Sequence, residues 1–523
     1  MLALIRNLQS EHDAASLVLA AIQRSASRNQ CLEISIDEVN AYECLFCVDP
    51  SKDISESLIA WAKRKARKLV IFGALPVELL SELDWKSCDL PQDLTELASS
   101  PPTPIYQTRE SQANVRYLPN EELSVDPIWS RPFERFDFAD EWNNHGYGAI
   151  RGNGDIWSIN AGVDAGQDAI SDFMIGDAIH SSFSALGQIG DTNILWVNRS
   201  AGLIDSYEWR IVENFLTNYK SKTHPCFPII RQIPHGFDMM VTSRLDCDED
   251  VSSARGLWSN YQEWEVPFSV ALLTSILASG EHDDFIKAID RAGGSILSHS
   301  VTHTPNWGGS YEAAFQEMQS SAAEIKAIIG RMIEYAVSPF HQNPDYAVRA
   351  LCDTGYKGFV GGIIANDPEF ILARGGTLAD LPSGFVSHSQ QCMLHGDCLL
   401  EGGQPLSSYY HAVDLAFSSH TLFGYLDHPF SQRYQYGWQD EQIRANAHKS
   451  LINYIKNKSP NTLFVNEEVV LNFIQLCSAV SITSNSGSWS VKIPSHDLPY
   501  KVAVEFKNRI YSFHSDDNCI SLN

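Results

Sequence analysis

The sequence predicts an α/β protein in three parts: an α/β barrel at residues 236–430, an α/β domain before it and a small β-rich segment after it. Strand-like and helix-like segments alternate through the first two parts, which is typical of parallel sheets covered by helices. In the barrel part, acidic residues and histidines follow the strands, as expected where strand ends form one rim. Short strands separated by a tight turn close the chain.

Composition limits the classes of partner. The 523 residues are 44% hydrophobic and 11% aromatic, which is enough for large cores. The net charge of −26 argues against nucleic acid and anionic membranes, since phosphate contacts require a basic surface. We expect no membrane span, because no apolar run approaches about 20 residues. The N-terminus is unlike a signal peptide and the eleven cysteines are scattered, so we expect a cytoplasmic protein.

The first part, residues 1–225, is predicted to be a Rossmann-like α/β domain with an insertion. Helix 14–25 and helix 55–66 alternate with buried strands at 42–48 and 68–73, and the pattern resumes with a strand at 193–197 and a helix at 205–219. The stretch between residues 105 and 191 is the insertion. No residue in this part indicates a chemistry.

The second part, residues 236–430, contains the candidate site. Its predicted strands lie at 239–245, 267–273, 295–297, 358–364 and 421–427, and its predicted helices at 283–292, 311–329 and 344–353. In the helix 311–329, apolar residues spaced by three and four form a core-facing stripe, with Ser310 and Gly330 as the caps. This alternation predicts a barrel with its site at one rim.

The third part, residues 431–523, is predicted to be one helix at 441–456 followed by a small β appendage. Strands are expected at 489–493, 501–506 and 509–513. The last two are predicted to form a hairpin across Lys507-Asn508.

The segment Leu297-Ser-His-Ser-Val-Thr-His303 predicts a metal site, because two histidines four residues apart can hold one ion within a helical turn or tight loop. Asp246 and Asp248 follow a strand and share one face of an extended chain. One carboxylate completes a His₂-carboxylate ligand set, and the other is free to act as a base. His428 ends a late strand and is placed to protonate a leaving amine. This set indicates metal-assisted hydrolysis of an amide or ester.

Each of these patterns also has a structural interpretation. An Asp-x-Asp at a strand end is more often a turn or cap, and a histidine before a proline is common in folded cores. A second metal candidate, Cys392-Met-Leu-His-Gly-Asp-Cys398, has suitable spacing but lacks an obvious fourth ligand. The order of the first set along the chain favours a site.

Residues 236–430 resemble the polysaccharide deacetylase (NodB-like) domain of carbohydrate esterase family four. Four segments carry the resemblance in the family's order, beginning with an acidic strand end and a histidine motif and ending with a Pro-Phe element and a late Leu-x-His. They are Arg244-Leu-Asp-Cys-Asp248, Gly293-Gly-Ser-Ile-Leu-Ser-His-Ser-Val-Thr-His303, Val337-Ser-Pro-Phe340 and Leu426-Asp-His428, with the strand Val266-Pro-Phe-Ser-Val270 after the first. The resemblance implies a distorted (β/α) barrel.

The resemblance also implies roles and a cofactor. Asp246 becomes the catalytic base, His428 the general acid, and the Phe340 backbone N–H part of the oxyanion hole. Asp248, His299 and His303 become the ligands of one divalent metal ion. Zinc is the first choice, with cobalt, nickel or manganese as alternatives.

Two departures from the family pattern affect these roles. Cys247 separates the two aspartates, so which of them binds the metal stays open. Val337 stands where the family has the arginine that tunes the base, and Arg244 or Arg374 is the candidate replacement.

The sequence therefore predicts a metal-dependent hydrolase that removes an N-acetyl group from a sugar or glycan precursor. Hydrolysis of another N-acyl or formyl group is the alternative within the same chemistry. A non-catalytic carbohydrate-binding or scaffold protein of a surface-polysaccharide system is the alternative from another class. Trp307, Tyr425 and Arg244 are the candidate substrate-binding residues, and the oligomeric state is not predicted.

Overall fold

The computed structural model describes residues 1–7, 14–92, 94, 113–123, 130–132, 156, 159, 161–201, 206–361, 374–390, 392–394, 396, 406–431, 435–485, 488–514 and 520–522. Its α-helices in chain order are Ala14–Ser25, Lys52–Ala62, Val77–Leu83, Ser206–Thr217, Arg255–Glu263, Asp283–Arg291, Tyr311–Ile329, Asp345–Asp353, Ser407–Ser419, Glu441–Lys458 and Glu467–Ser478. No helix among these residues is both long and apolar enough to cross a membrane.

A nine-stranded sheet, here called the N-terminal sheet, organises the first part of the chain. Its strands in spatial order are Cys31–Ile34, Leu2–Ile5, Cys44–Val48, Lys68–Phe72, Thr192–Val197, Ala178–Ile189, Ala169–Ile175, Ala113–Tyr117 and Ser130–Pro132. The first five run parallel and the last four add antiparallel pairs at one edge. A separate antiparallel pair joins Lys86–Cys88 to Gly162–Asp164.

Four of the five parallel strands are buried on both faces, which explains their continuous apolar runs, whereas the edge strand Cys31–Ile34 is partly exposed. In Cys44–Val48, Phe46 packs in the core under the helices Ala14–Ser25 and Ser206–Thr217, whereas Leu45 packs in the core under Lys52–Ala62 and Val77–Leu83. The first four strands lie in the order 2-1-3-4, whereas a Rossmann dinucleotide-binding sheet has the order 3-2-1-4. The α/β alternation is present as predicted, but the Rossmann-like topology is not confirmed.

A ten-stranded sheet, the central sheet, carries the candidate site. Its strands in spatial order are Gly376–Thr377, Val386–Ser389, Gly358–Gly361, Tyr335–Val337, Ser295–Ser298, Ser269–Leu272, Met239–Cys247, Phe423–Asp427 and Cys392–Met393, with Thr462–Phe464 paired to the first half of Met239–Cys247. All pairs are parallel except the one made by Gly376–Thr377.

Parallel pairing brings the carboxyl ends of the central strands to one rim, with connecting helices outside. The pairings among the described residues do not join the two edge strands, so closure into a barrel is not confirmed. Five neighbouring strands end at this rim, with Ser269–Leu272 in the middle. The other four end at or next to Asp246, Ser298, Val337 and Asp427.

The C-terminal part contains more than the predicted helix and strands. The antiparallel pair Val502–Phe506 and Arg509–Phe513 turns across Lys507 and Asn508, both in the left-handed region, and Val502–Phe506 also pairs with Ile229–Ile230. A second small sheet contains Ser481–Asn485, Ser488–Lys492 and Ile520–Leu522.

The helix Glu467–Ser478 was not predicted. Its buried residues Val470, Leu471, Phe473 and Ile474 pack in one core cluster with the helix Ala14–Ser25. The C-terminal segment therefore contacts the N-terminal sheet's helices as well as the central sheet.

Candidate metal-binding active site

The strand Met239–Cys247 presents Arg244 and Asp246 toward one side of the central sheet, and Asp248 follows it in the same alternation. Cys247 points the other way, into a buried core with the helix Arg255–Glu263. As predicted, the two aspartates therefore face one side of the sheet and the cysteine between them faces the other.

The two histidines lie in a tight loop that follows the strand Ser295–Ser298. Ser300 and His303 have φ angles of 68° and 54°, in the left-handed region, so the chain reverses sharply between the ligands. Glu317 on the helix Tyr311–Ile329 holds this loop, because its carboxylate accepts the backbone N–H groups of Val301 and Thr302 over 2.8 and 2.9 Å. The long helix thus fixes the histidine positions.

Asp248, His299 and His303 converge on one point. The Nε2 atoms of His299 and His303 lie 3.0 Å apart, and the Oδ1 atom of Asp248 lies 3.3 and 3.8 Å from them. Ligand atoms bound tetrahedrally at about 2.0–2.2 Å from zinc are separated by about 3.4 Å. Among the described residues, this is the only group of three or more His, Cys, Asp or Glu side chains arranged to hold a metal ion.

The donor atoms also have the chemistry of metal ligands. The Nδ1 atom of His299 donates to the Val337 carbonyl over 3.0 Å, so in the neutral ring Nε2 carries the lone pair that faces Asp248. Asp248 Oδ1 is buried and has no hydrogen-bond partner among the described residues. A buried carboxylate oxygen without a donor is costly unless a cation neutralises it, so these residues fit a divalent metal ion.

Charge in the site alters the pKa values of the ligands. Burial raises the pKa of Asp248, but the neighbouring histidines outweigh it and the net shift is downward. Burial lowers the pKa of His299, but the Asp246 and Asp248 carboxylates raise it overall. Burial, followed by the charge of His299, lowers the pKa of His303 to about 4, so this ring is neutral near pH 7 and able to donate a lone pair.

Asp246 belongs to a different pair. Arg244 Nε and Nη2 donate to its two oxygens over 2.7 and 3.1 Å, with both side chains almost completely buried. Burial raises the pKa of Asp246, but Arg244 and then His299 hold it well below the usual range. This geometry favours Asp248 as the ligand and leaves Asp246 as an ionised carboxylate beside it.

Of the two candidates for the arginine missing at Val337, Arg244 contacts Asp246, which lies two residues after it in the chain. Arg374, the other candidate, hydrogen-bonds to Glu213 and lies outside the site. The assignment of Arg244 to substrate binding is not supported, because its side chain is fully buried on Asp246.

His428 lies on the opposite side of Asp248, with its Nε2 atom 3.4 Å from Oδ2. Its ring stacks on Tyr436, with centroids 4.0 Å apart, and the Tyr436 hydroxyl donates to Asp248 Oδ2 over 3.3 Å. The backbone N–H of His428 donates to Asp427 Oδ1 over 2.7 Å. The predicted acid is thus next to the predicted ligand Asp248.

The remaining predicted residues divide into two groups. Phe340 has a φ of 52° and its ring centroid lies 4.4 Å from that of His303, so it borders the ligand loop, and the oxyanion-hole role of its backbone N–H stays a prediction. Trp307 and Tyr425 are each 1% exposed and belong to buried cores, so neither offers a ring face to a sugar. Their burial gives the prediction that they bind substrate no support. In the second metal candidate, His395 and Cys398 lie outside the described residues.

Two residues of the site were not predicted. His341 lies with Nε2 3.5 Å from Arg244 Nη2, and burial followed by the charge of Arg244 lowers its pKa well below the usual range. In the sequence, its position next to the predicted site residue Phe340 could have identified it as part of the site. Tyr436 gave no sequence signal, because only the fold brings it over His428.

Comparison with known proteins locates the match within the central part of the chain. The sequence profile of the polysaccharide deacetylase family matches residues 259–359, which include the histidine loop and Phe340. Asp246, Asp248 and His428 lie outside the matched residues. No curated protein matches the chain in sequence.

Three solved structures illustrate the similarity. A family 4 acetyl xylan esterase from Clostridium thermocellum, in complex with a cobalt ion, is 13% identical over 45% of this chain and 90% of its own, with a TM-score of 0.30. An allantoinase is 13% identical over 46% and 92%, with a TM-score of 0.36. A pseudoenzyme of carbohydrate esterase family four from Bacillus anthracis is 14% identical over 46% and 68%, with a TM-score of 0.31. Likeness at this level carries no argument about activity.

Proposed function

We propose, from the premise that this chain contains a polysaccharide deacetylase domain of the NodB-like type, that it is a metal-dependent hydrolase removing an N-acetyl group from a sugar or glycan precursor. One observation carries the proposal. A His₂-carboxylate ligand set, a separately held carboxylate and a third histidine lie within one rim of the central sheet. A structural metal site would need no further carboxylate and histidine beside its ligands.

Asp248, His299 and His303 would hold the ion, which we propose to be zinc, with cobalt, nickel or manganese as alternatives. When bound, it supplies Lewis acidity toward water and the substrate carbonyl. Two imidazoles and one carboxylate leave open coordination positions, as catalytic sites require.

The protein's own groups would move the protons. Asp246 is ionised near pH 7, because Arg244 holds its pKa low, and it accepts the proton of the attacking water. His428, with its Nε2 atom 3.4 Å from Asp248 Oδ2, gives a proton to the departing amine. The backbone N–H of Phe340 is proposed to stabilise the oxyanion that forms on the substrate carbonyl.

We propose an intracellular carbohydrate substrate and a cytoplasmic location. The nine cysteines among the described residues are all free thiols, which fits a reducing compartment.

The test combines metal content with acetate release. Purified protein should contain about one divalent ion per chain, and His299→Ala should lose it. Acetate release from N-acetylated sugars should fall at least about 100-fold in Asp246→Asn with the metal still bound. The exposed Asp353→Asn serves as the matched control and should keep full activity.

Three results would oppose the proposal. Unchanged turnover in Asp246→Asn would remove the assigned base. Turnover of other N-acyl or N-formyl compounds in place of acetyl sugars would favour the alternative substrate class, and failure of every acyl substrate with every added metal would favour the scaffold protein.

A further inference from the structure

Tyr436 contacts both a proposed metal ligand and the proposed acid, although the steps described above give it no role. Its ring stacks on that of His428, with centroids 4.0 Å apart and an angle of 11° between the planes. Its hydroxyl donates to Asp248 Oδ2 over 3.3 Å. One side chain therefore connects the metal-binding part of the site to the proton-donating part.

The two carboxylate oxygens of Asp248 have different neighbours. Oδ1 faces the Nε2 atoms of His299 and His303 at 3.3 and 3.8 Å. Oδ2 faces the Tyr436 hydroxyl and, at 3.4 Å, the Nε2 atom of His428. A hydrogen bond to the outer oxygen of a ligating carboxylate fixes the orientation of that ligand. The Tyr436 hydroxyl would thus keep Oδ1 turned toward the ion.

The ring of His428 lacks the contact that usually orients a functional histidine. Such a ring is commonly held by a hydrogen bond at its second nitrogen, most often to a carbonyl or a carboxylate. Among the described residues, Nδ1 of His428 is buried and has no hydrogen-bond partner. Packing has to fix the plane of the ring instead, and the near-parallel stack on Tyr436 is a contact of that kind.

The backbone around Tyr436 is constrained in this position. Tyr436 and Gly437 have φ angles of 46° and 75°, both in the left-handed region. A residue with a side chain rarely adopts that region unless its surroundings enforce it. Gly396 contributes here, because its N–H donates to the Tyr436 carbonyl over 3.0 Å and it lies so close to Gly437 that a Cβ atom would collide with the backbone.

A second contact joins this turn to the acid. Trp438 is 1% exposed, and its Nε1 atom donates to Asp427 Oδ1 over 3.3 Å. The same oxygen accepts the backbone N–H of His428 over 2.7 Å. One buried carboxylate therefore holds both His428 and the turn that carries Tyr436.

We propose that Tyr436 is a positioning residue that acts through two neighbours. Its hydroxyl orients Asp248 toward the metal ion, and its ring fixes the plane of His428 for proton transfer. The second role rests on the proposed deacetylation, whereas the first requires only that the site binds metal. A tyrosine that merely filled space beside His428 would need no hydroxyl.

The first test separates the hydroxyl from the ring. Tyr436→Phe removes only the hydroxyl, so its zinc affinity, measured by competition with a chromophoric chelator, should be about tenfold weaker than that of the wild type. Tyr454→Phe is the matched control, because Tyr454 is also partly buried, stacks on another ring, that of Tyr410, and donates to a carboxylate, that of Asp414. Its zinc affinity should be unchanged. Unchanged affinity in Tyr436→Phe would overturn the role assigned to the hydroxyl.

The second test concerns the ring. At saturating zinc, Tyr436→Phe should keep the wild-type kcat within about twofold, because phenylalanine preserves the stack, whereas Tyr436→Leu should lose at least about tenfold in kcat with little change in KM. Histidine side-chain NMR reports on the ring without turnover. The His428 signal, assigned through His428→Gln, should change little in Tyr436→Phe and should shift in Tyr436→Leu.

The outcomes distinguish this proposal from the proposed deacetylation. A wild type that binds zinc but releases no acetate would refute the deacetylation, and the zinc-affinity and NMR comparisons would still decide the role of Tyr436. Wild-type kcat in Tyr436→Leu, or an unshifted His428 signal in that variant, would overturn the role assigned to the ring.

Discussion

Replacing Arg244 by methionine is expected to destabilise the fold through Asp246. The two side chains are 0% and 2% exposed and share two hydrogen bonds. Removing one partner of a buried ion pair leaves the other charge unpaired, which costs about 3–5 kcal/mol. Methionine keeps most of the apolar volume, so the loss measures charge rather than packing.

The pH dependence distinguishes this explanation from a packing defect. The pKa of Asp246 in the folded protein lies below the roughly 3.9 of an unfolded chain. The ion pair therefore stabilises the protein fully above that pH, and its contribution is lost as the pH falls. In Arg244→Met, burial raises the pKa of Asp246, so the variant loses stability as the pH rises. The difference from wild type should be largest near pH 7 and shrink toward pH 4.

The assay is urea unfolding of the chelator-treated protein, since bound metal would add its own stability. Asp246→Asn in the Arg244→Met background should recover part of the loss, giving an interaction energy of about 2 kcal/mol or more. Arg331→Met, which removes a half-exposed ion pair to Asp290, should cost no more than about 1 kcal/mol. A cost below about 1 kcal/mol for Arg244→Met, or one that does not vary with pH, would refute the reasoning.

Three further predictions concern the site and its support. Metal removal by a chelator should lower the melting temperature of the wild type, and His303→Ala should abolish that difference, as differential scanning fluorimetry with added zinc will show. Glu317→Gln should weaken metal affinity by about 10- to 100-fold, because Glu317 holds the ligand loop, whereas the exposed Glu324→Gln should not. Asp427→Asn should cost about 1.5–3 kcal/mol in urea unfolding, because it removes the carboxylate that Arg444 Nε contacts and leaves only the part-exposed Glu441 beside this buried guanidinium. Burial raises the pKa of Asp427, but Arg444 outweighs it and the pKa is lowered to about 2. Wild-type stability should therefore fall between pH 4 and pH 2, and that of the variant should fall less.

Local periodicity was sufficient for many elements. The predicted helix at 311–329 has the observed bounds Tyr311–Ile329, because its apolar stripe and both caps are local features. The hairpin across Lys507 and Asn508 was also predicted correctly. The helix Glu467–Ser478 was missed, although its buried residues Val470, Leu471, Phe473 and Ile474 belong to one core cluster.

Strand order and burial required the tertiary structure. The sequence indicated parallel strands in residues 1–225 but not their order, because register and neighbour choice depend on contacts between distant segments. Trp307 and Tyr425 were predicted to face a substrate, yet both are core residues. Aromatic residues near strand ends are equally compatible with either location until their neighbours are known.

For the candidate site, the sequence by itself determined the ligand types: two histidines in a short loop, and two aspartates at alternating positions of one strand. Spacing of this kind is local chemistry and needs no fold to be seen. Only the tertiary structure decided which aspartate joins the histidines, because Arg244 occupies Asp246 and leaves Asp248 with a buried free oxygen. It also decided that Arg244 pairs with Asp246 two residues after it in the same strand, since guanidinium and carboxylate recognise one another in space and not by their order in the chain.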